Sequence, residues 1–232
     1  EYVAIAESFT ADTASIDTLQ AVHLTARMTF KAFEYLIEYY DHQAVKVSLN
    51  GAPLPSVEPH VPEVVPLDPV GLQVLDELVF ADEPFAEKEE IIKLTNQLQI
   101  DFKQIYRVQK SMRITHRHIF EALREELIRI FTLGMTGFDT PGSVNALPEA
   151  KVALQSAHKA FGAYQSLLEK KDFGLFMLLD TRLTEAIKYM DNFDDFDKID
   201  RLSYLIHFHS HIYEMLNQLQ RYLGVETKDE VN

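Results

Sequence analysis

The chain has 232 residues, 47% of them hydrophobic, with no cysteine and no tryptophan, and 36 acidic against 22 basic side chains leave a net charge of −14. That balance excludes a nucleic-acid surface, since phosphates would be repelled, and the missing cysteine excludes disulfides, zinc–thiolate and iron–sulfur sites, cysteine nucleophiles and haem attachment through C-x-x-C-H. No apolar run approaches the roughly 20 residues needed to span a bilayer, and no charged-then-apolar leader stands at Glu1, so the chain reads as cytosolic or as one whose leader has been removed.

Residues 1–15 are small and polar and read as a frayed lead-in or a weak first turn. From about Asp17 to Tyr40 a helical stripe runs through Ala26, Phe30, Phe33, Ile37 and Tyr40, with Arg27, Lys31, Glu34 and Glu38 on a second face. Asp41 is placed to cap a short helix ending near Leu49, where Asn50-Gly51 supplies a left-handed stop. Six of the nine prolines fall between residues 52 and 69, which denies helix and central strand and predicts an extended strap over 52–68 lying along the bundle. At roughly 3.1 Å per residue such a strap reaches on the order of 50 Å.

Asp68-Pro69 is a helix-start signal for a helix over about 69–81. A second stripe, Ile91, Leu94, Leu98, Phe102 and Ile105, spans about 85–109; no Gly or Pro separates it from the next helix, which leaves one continuous helix open, but Ser111 and Thr115 are good caps and favour a break there. There His116, Phe120, Leu123, Leu127 and Ile130 face a core, while Glu121 and Glu125 read as partners of Arg124 and Arg129. Gly134 is the expected left-handed cap, and Gly137, Phe138, Asp139, Pro141 and Gly142 make a tight loop. Pro148 then opens a helix through Leu154, Ala157, Phe161 and Tyr164. Another spans 173–191, and a last one runs from about Phe196 to Leu223 and ends at Gly224. No period-two alternation is present, so no sheet is expected. The fold class is therefore all-α: an antiparallel bundle of six to seven helices forming one domain over 16–224, followed by an exit linker, 225–232.

Three groups of residues invite a chemical reading. His207, His211 and Glu214 share one helix face at spacings that suit a metal ion, yet no second element supplies further ligands, and the H-E-x-x-H arrangement of zinc hydrolases is missing. His209, between them, is expected to face the core. His116, His118, Glu121 and Glu125 are explained by ion pairing along their helix. Asp191, Asp194, Asp195, Asp197 and Asp200 lack the glycine and terminal glutamate of a calcium loop, and helix capping accounts for Asp195 and Asp197. No catalytic element, phosphate-binding glycine loop or dinucleotide fingerprint is found, so no catalytic or cofactor-binding residue is assigned.

The segments Arg27–Tyr40, Asn50–Pro55, Gly71–Leu75, Glu121–Glu126 and, most specifically, Thr132-Leu-Gly-Met-Thr-Gly-Phe-Asp-Thr-Pro141 together resemble the N-terminal helical region of bacterial di-haem cytochrome c peroxidase-type proteins. Gly71-x-Gln73-x-x-Asp76 also resembles a degenerate G-x-H-x-x-E motif of imelysin-like envelope proteins linked with iron uptake. Gln73 stands where that family has histidine and Asp76 where it has glutamate, which removes the best transition-metal ligand and puts metal binding in doubt. The resemblance implies a non-catalytic, imelysin-like domain in the periplasm or cell envelope, without a cofactor of its own. It would be attached to a downstream peroxidase domain carrying c-type haem and served by a small, basic electron donor. The alternative it implies is a metal- or haem-binding module for iron handling.

Overall fold

The computed structural model describes residues 1–57 and 66–227. Its helices are α1 (Tyr2–Ser8), α2 (Thr13–Lys31), α3 (Glu34–Ala44), α4 (Leu72–Val79), α5 (Lys88–Gln109), α6 (His116–Arg129), α7 (Ala146–Gly162), α8 (Gln165–Leu168), α9 (Phe173–Met190), α10 (Arg201–Tyr204) and α11 (Ser210–Tyr222). Turns of π-helix extend α3 over Val45–Leu49 and α6 over Ile130–Gly134, and another joins α10 to α11 over Leu205–His209. The helical class holds, with one small exception. Two-residue strands β1 (Ser56–Val57) and β2 (Pro66–Leu67) pair antiparallel, Ser56 opposite Leu67 and Val57 opposite Pro66. The proline-rich segment read as a strap over 52–68 thus has its two ends side by side, and its residues 58–65 lie outside the described ones.

Where a single bundle is expected over 16–224, the chain forms two compact units, each assembled from separate stretches. The first takes Glu1–Thr29, Tyr40–Met112 and Gly137–Asn145; the second takes Phe30–Tyr39, Arg113–Thr136 and Ala146–Asn232. Residues 113–142, continuous in sequence, are therefore shared between them.

In the first unit, α1, α4 and the π-turn after α3 pack on α5. The lead-in is not frayed: Ala6 and Phe9 are buried, and the Lys88 ammonium bonds the Phe9 carbonyl at 2.5 Å while lying 5.0 Å from its ring. Asp41 does act as a local cap, accepting the Ala44 N–H at 3.1 Å. Asn50, however, has φ −144°, and neither it nor Gly51 is left-handed. The Asp68-Pro69 signal is overruled too. The helix begins only at Leu72, because Gly71, with φ +103°, crosses so close to Leu49 that a Cβ there would lie 2.7 Å from the Leu49 carbonyl. Such a backbone is open to glycine alone.

The second unit is a helical bundle in which α6, α7, α9 and α11 enclose one apolar core containing Phe120, Leu123, Leu127, Leu154, Phe161, Phe176, Leu183, Ile212, Leu216 and Leu219. The break before α6 is where Ser111 and Thr115 put it, and the Thr115 hydroxyl accepts the His118 N–H. Three local expectations change. The expected 17–40 helix divides after Lys31, which turns Phe33 outward at 58% exposure. Gly134 is not left-handed; a Cβ added there would lie 3.5 Å from the Ala150 methyl, an ordinary van der Waals contact, and the positive φ falls on Gly137. The last helix is interrupted by the turns at 196–198 and 205–209, although Gly224 (φ +70°) ends it as expected. Of the exit linker 225–232, residues 228–232 lie outside the described ones, while Gln220 bonds back to Val225 and Glu226.

Candidate functional site

The two sequence signals of the first unit meet. Along α4 the buried positions Leu72, Leu75 and Val79 form the apolar stripe, and Gln73 and Asp76, three apart, flank it with their side chains also buried. Gln73 Nε2 donates to the Asp139 carboxylate at 2.8 Å, joining the degenerate motif to the Gly137–Pro141 loop. The backbone N–H groups of Gly142 and Ser143 both donate to Asp76 Oδ2 at 2.8 Å. A side chain at Gly142 would overlap the carbonyl oxygen of Asp76, so this close approach needs glycine. Next to it Val144 sits at φ +54°, a strained conformation for a β-branched residue. Phe138 and Pro141 of the same loop point to solvent.

Two residues of α2 complete the cluster. Leu19, His23 and Arg27 recur every four residues and are all essentially inaccessible. His23 Nε2 lies 3.1 Å from Asp76 Oδ1, Arg27 Nε lies 3.9 Å from the same oxygen, and an Arg27 terminal nitrogen donates to the Asp139 carbonyl at 2.5 Å. On its other side His23 Nδ1 meets the Tyr2 hydroxyl at 2.8 Å. Burial alone would raise the Asp76 pKa, but the His23 hydrogen bond, the Arg27 charge and the Ser143 N–H outweigh it and hold the carboxyl below its usual range. Burial lowers the His23 pKa against the smaller opposing pull of Asp76, so the ring is neutral. The charged pair at the centre is therefore Asp76⁻ and Arg27⁺. The imidazole missing at position 73 is matched by one arriving from α2, which the motif itself does not reveal.

A second polar cluster lies in the other unit. Glu34 accepts from Lys31 at 2.7 Å and from Arg129 at 2.9 Å, and Arg129 also reaches Glu38 at 2.8 Å. Lys31, Glu34 and Glu38, read as a plain polar face, are all buried. Glu121 is buried as well and binds Arg117 at 2.8 Å and the Tyr39 hydroxyl, in place of the expected Arg124 or Arg129. His116, placed in the core stripe by its spacing, is exposed and bonds the Tyr164 hydroxyl at 3.0 Å; His118 lies against the Tyr39 ring and Glu125 is exposed.

His207, His211 and Glu214 all face solvent, His207 within the π-turn at 205–209, while His209 is buried against Phe131 and Tyr204 as expected. In the acidic run, Asp191 pairs with Lys151, Asp195 caps the turn at 196–198 and pairs with Lys198 at 3.0 Å, and Asp200 caps α10. A groove of about 600 Å³, lined by Gln155, His158, Lys159, Gly162, Thr184, Ile187 and Lys188, is open and apolar-walled, and its histidine is held by Asp180 at 2.6 Å. Among the described residues no group of three or more His, Asp and Glu is placed to hold a metal ion, and no helix is long and apolar enough to cross a membrane. No known family model matches the sequence, and no curated protein is similar to it.

Proposed function

We propose that this chain is a non-catalytic, imelysin-like helical domain that serves a di-haem cytochrome c peroxidase of the cell envelope, docking or steering that enzyme's electron donor. What supports this reading is the use made of the polar residues where the degenerate motif and the Gly137–Pro141 loop meet. Asp76 accepts from His23, Gly142 and Ser143, and Asp139 accepts from Gln73, so the groups that would otherwise bind a ligand tie α2, α4 and the loop together. Carboxylates bonded in this way help to fix a scaffold. The net charge of −14 supplies the rest, since a strongly acidic exterior attracts a basic redox partner and speeds its encounter at low ionic strength.

The test is peroxide-driven oxidation of a basic reduced cytochrome by the peroxidase with and without residues 1–232, at low and high salt. Loss of the domain lowers kcat/KM at low salt and changes little at high salt. Equal kinetics in all four conditions rule out the steering role. The iron-handling reading has one observation in its favour: Gln73 Oε1 is buried and makes no hydrogen bond among the described residues.

A further inference from the structure

We propose that Tyr2 is a redox-active tyrosine, its one-electron oxidation coupled to transfer of the phenolic proton to His23. The geometry fixes the direction of each hydrogen bond. Asp76 is ionised and has no proton to give, so the His23 Nε2–H donates to Asp76 Oδ1 across 3.1 Å. The neutral ring then has a bare lone pair on Nδ1, and the Tyr2 hydroxyl donates to it at 2.8 Å. The order Tyr2 O–H, His23, Asp76⁻ is a proton relay already aligned, with the carboxylate pinned by the N–H groups of Gly142 and Ser143.

A phenol that loses an electron becomes a strong acid, and its proton must leave in the same event. Burial, reinforced by the negative charge of Asp76, pushes the Tyr2 pKa far above its ordinary value, so prior ionisation is closed to it and the imidazole is the route. In the step the Tyr2 O–H bond breaks, an N–H bond forms on His23 Nδ1, the electron passes to the oxidant, and Asp76 neutralises the imidazolium. A reductant returning the electron reverses each movement. The oxidant class is a high-potential oxidised haem iron; only that assignment rests on the peroxidase reading.

Tyr39 donates to a carboxylate, that of Glu121, and not to an imidazole; three further tyrosines make the contrast. Tyr164 also meets an imidazole, that of His116, but the ring is exposed and no carboxylate is bonded to its far nitrogen among the described residues. Tyr189 and Tyr222 donate to backbone carbonyls, which take no proton.

The experiment is flash oxidation of the full chain by photogenerated tris(bipyridyl)ruthenium(III), followed by tyrosyl-radical absorbance and electron paramagnetic resonance in H2O and D2O. A fast phase that slows in D2O is expected, lost in Tyr2→Phe and retained in Tyr106→Phe, whose ring is 66% exposed. In His23→Gln the amide can keep both hydrogen bonds yet cannot take the proton, so the fast phase is lost there too. A fast phase surviving in Tyr2→Phe, or unchanged in a folded His23→Gln, overturns the proposal; if His23→Gln does not fold, Tyr2→Phe and the isotope effect decide. Because ruthenium replaces the haem, failure here leaves the donor-steering kinetics untouched.

Discussion

Gln73 donates to the Asp139 carboxylate at 2.8 Å, across 66 residues of sequence. That bond turns two separate sequence features, a degenerate motif and a glycine-containing loop, into one buried structure. Asp76 sits at its centre, facing Arg27 and His23 with no access to water. Removing one partner of a buried charge pair leaves the other uncompensated. Asp76→Ala is expected to destabilise the chain by about 3–5 kcal/mol, read as a lower urea midpoint at an unchanged m-value.

The loop that grips Asp76 stores strain at Val144, whose side chain is largely exposed and has little packing to lose. A non-glycine residue in the left-handed region costs of order 1–3 kcal/mol, and asparagine tolerates that region better than valine. Val144→Asn is expected to stabilise the protein by about 1 kcal/mol, visible as a higher Tm.

Arg129 satisfies two buried glutamates at once, whereas Arg117 serves Glu121 from a side chain 36% exposed. Arg129→Ala removes the positive charge that Glu34 and Glu38 share and should cost about 3 kcal/mol; Arg117→Ala should cost far less. Denaturant curves of the two variants, side by side, make the comparison. Equal losses would mean that the Glu34–Glu38–Arg129 cluster is reached by water.

His209 gives stability a pH dependence. Burial lowers its pKa to about 4, against an ordinary value near 6.5 in the unfolded chain. Between those values the unfolded chain binds a proton that the folded chain does not, so stability is full above pH 6.5 and is lost as pH falls toward 4. The shift corresponds to on the order of 3 kcal/mol. His23 is shifted in the same direction and adds to the slope. His209→Phe should unfold with a visibly shallower dependence between pH 7 and pH 5, measured by denaturant titration at each pH.

Apolar spacing made most helices legible. The stripes of α5, α7 and α9, the break at Thr115 and the stop at Gly224 follow from propensity and caps, which act over a few residues. What spacing could not carry is the partnership of charges far apart in sequence. Arg27, Lys31, Glu34 and Glu38 look like a hydrated face until each meets its counter-charge, and Glu121 looks exposed until Arg117 and Tyr39 close on it. The π-turns are equally silent: nothing in the spacing marks the one at 205–209, which carries His207 and His209. At the candidate site, Gln73, Asp76 and Asp139 were readable from the motif and the loop. His23 and Tyr2 were not, because nothing local marks a buried histidine on a helix as the neighbour of a carboxylate 53 residues away.

The scaffold role turns on whether the Asp76 cluster is complete in itself, and metal stoichiometry tests that most directly. The chain, purified without a tag and equilibrated with zinc(II) or iron(II), should carry no stoichiometric metal, with the same trace content in Gln73→Ala as in the unsubstituted protein. One metal ion per chain, lost on Gln73→Ala, would contradict it.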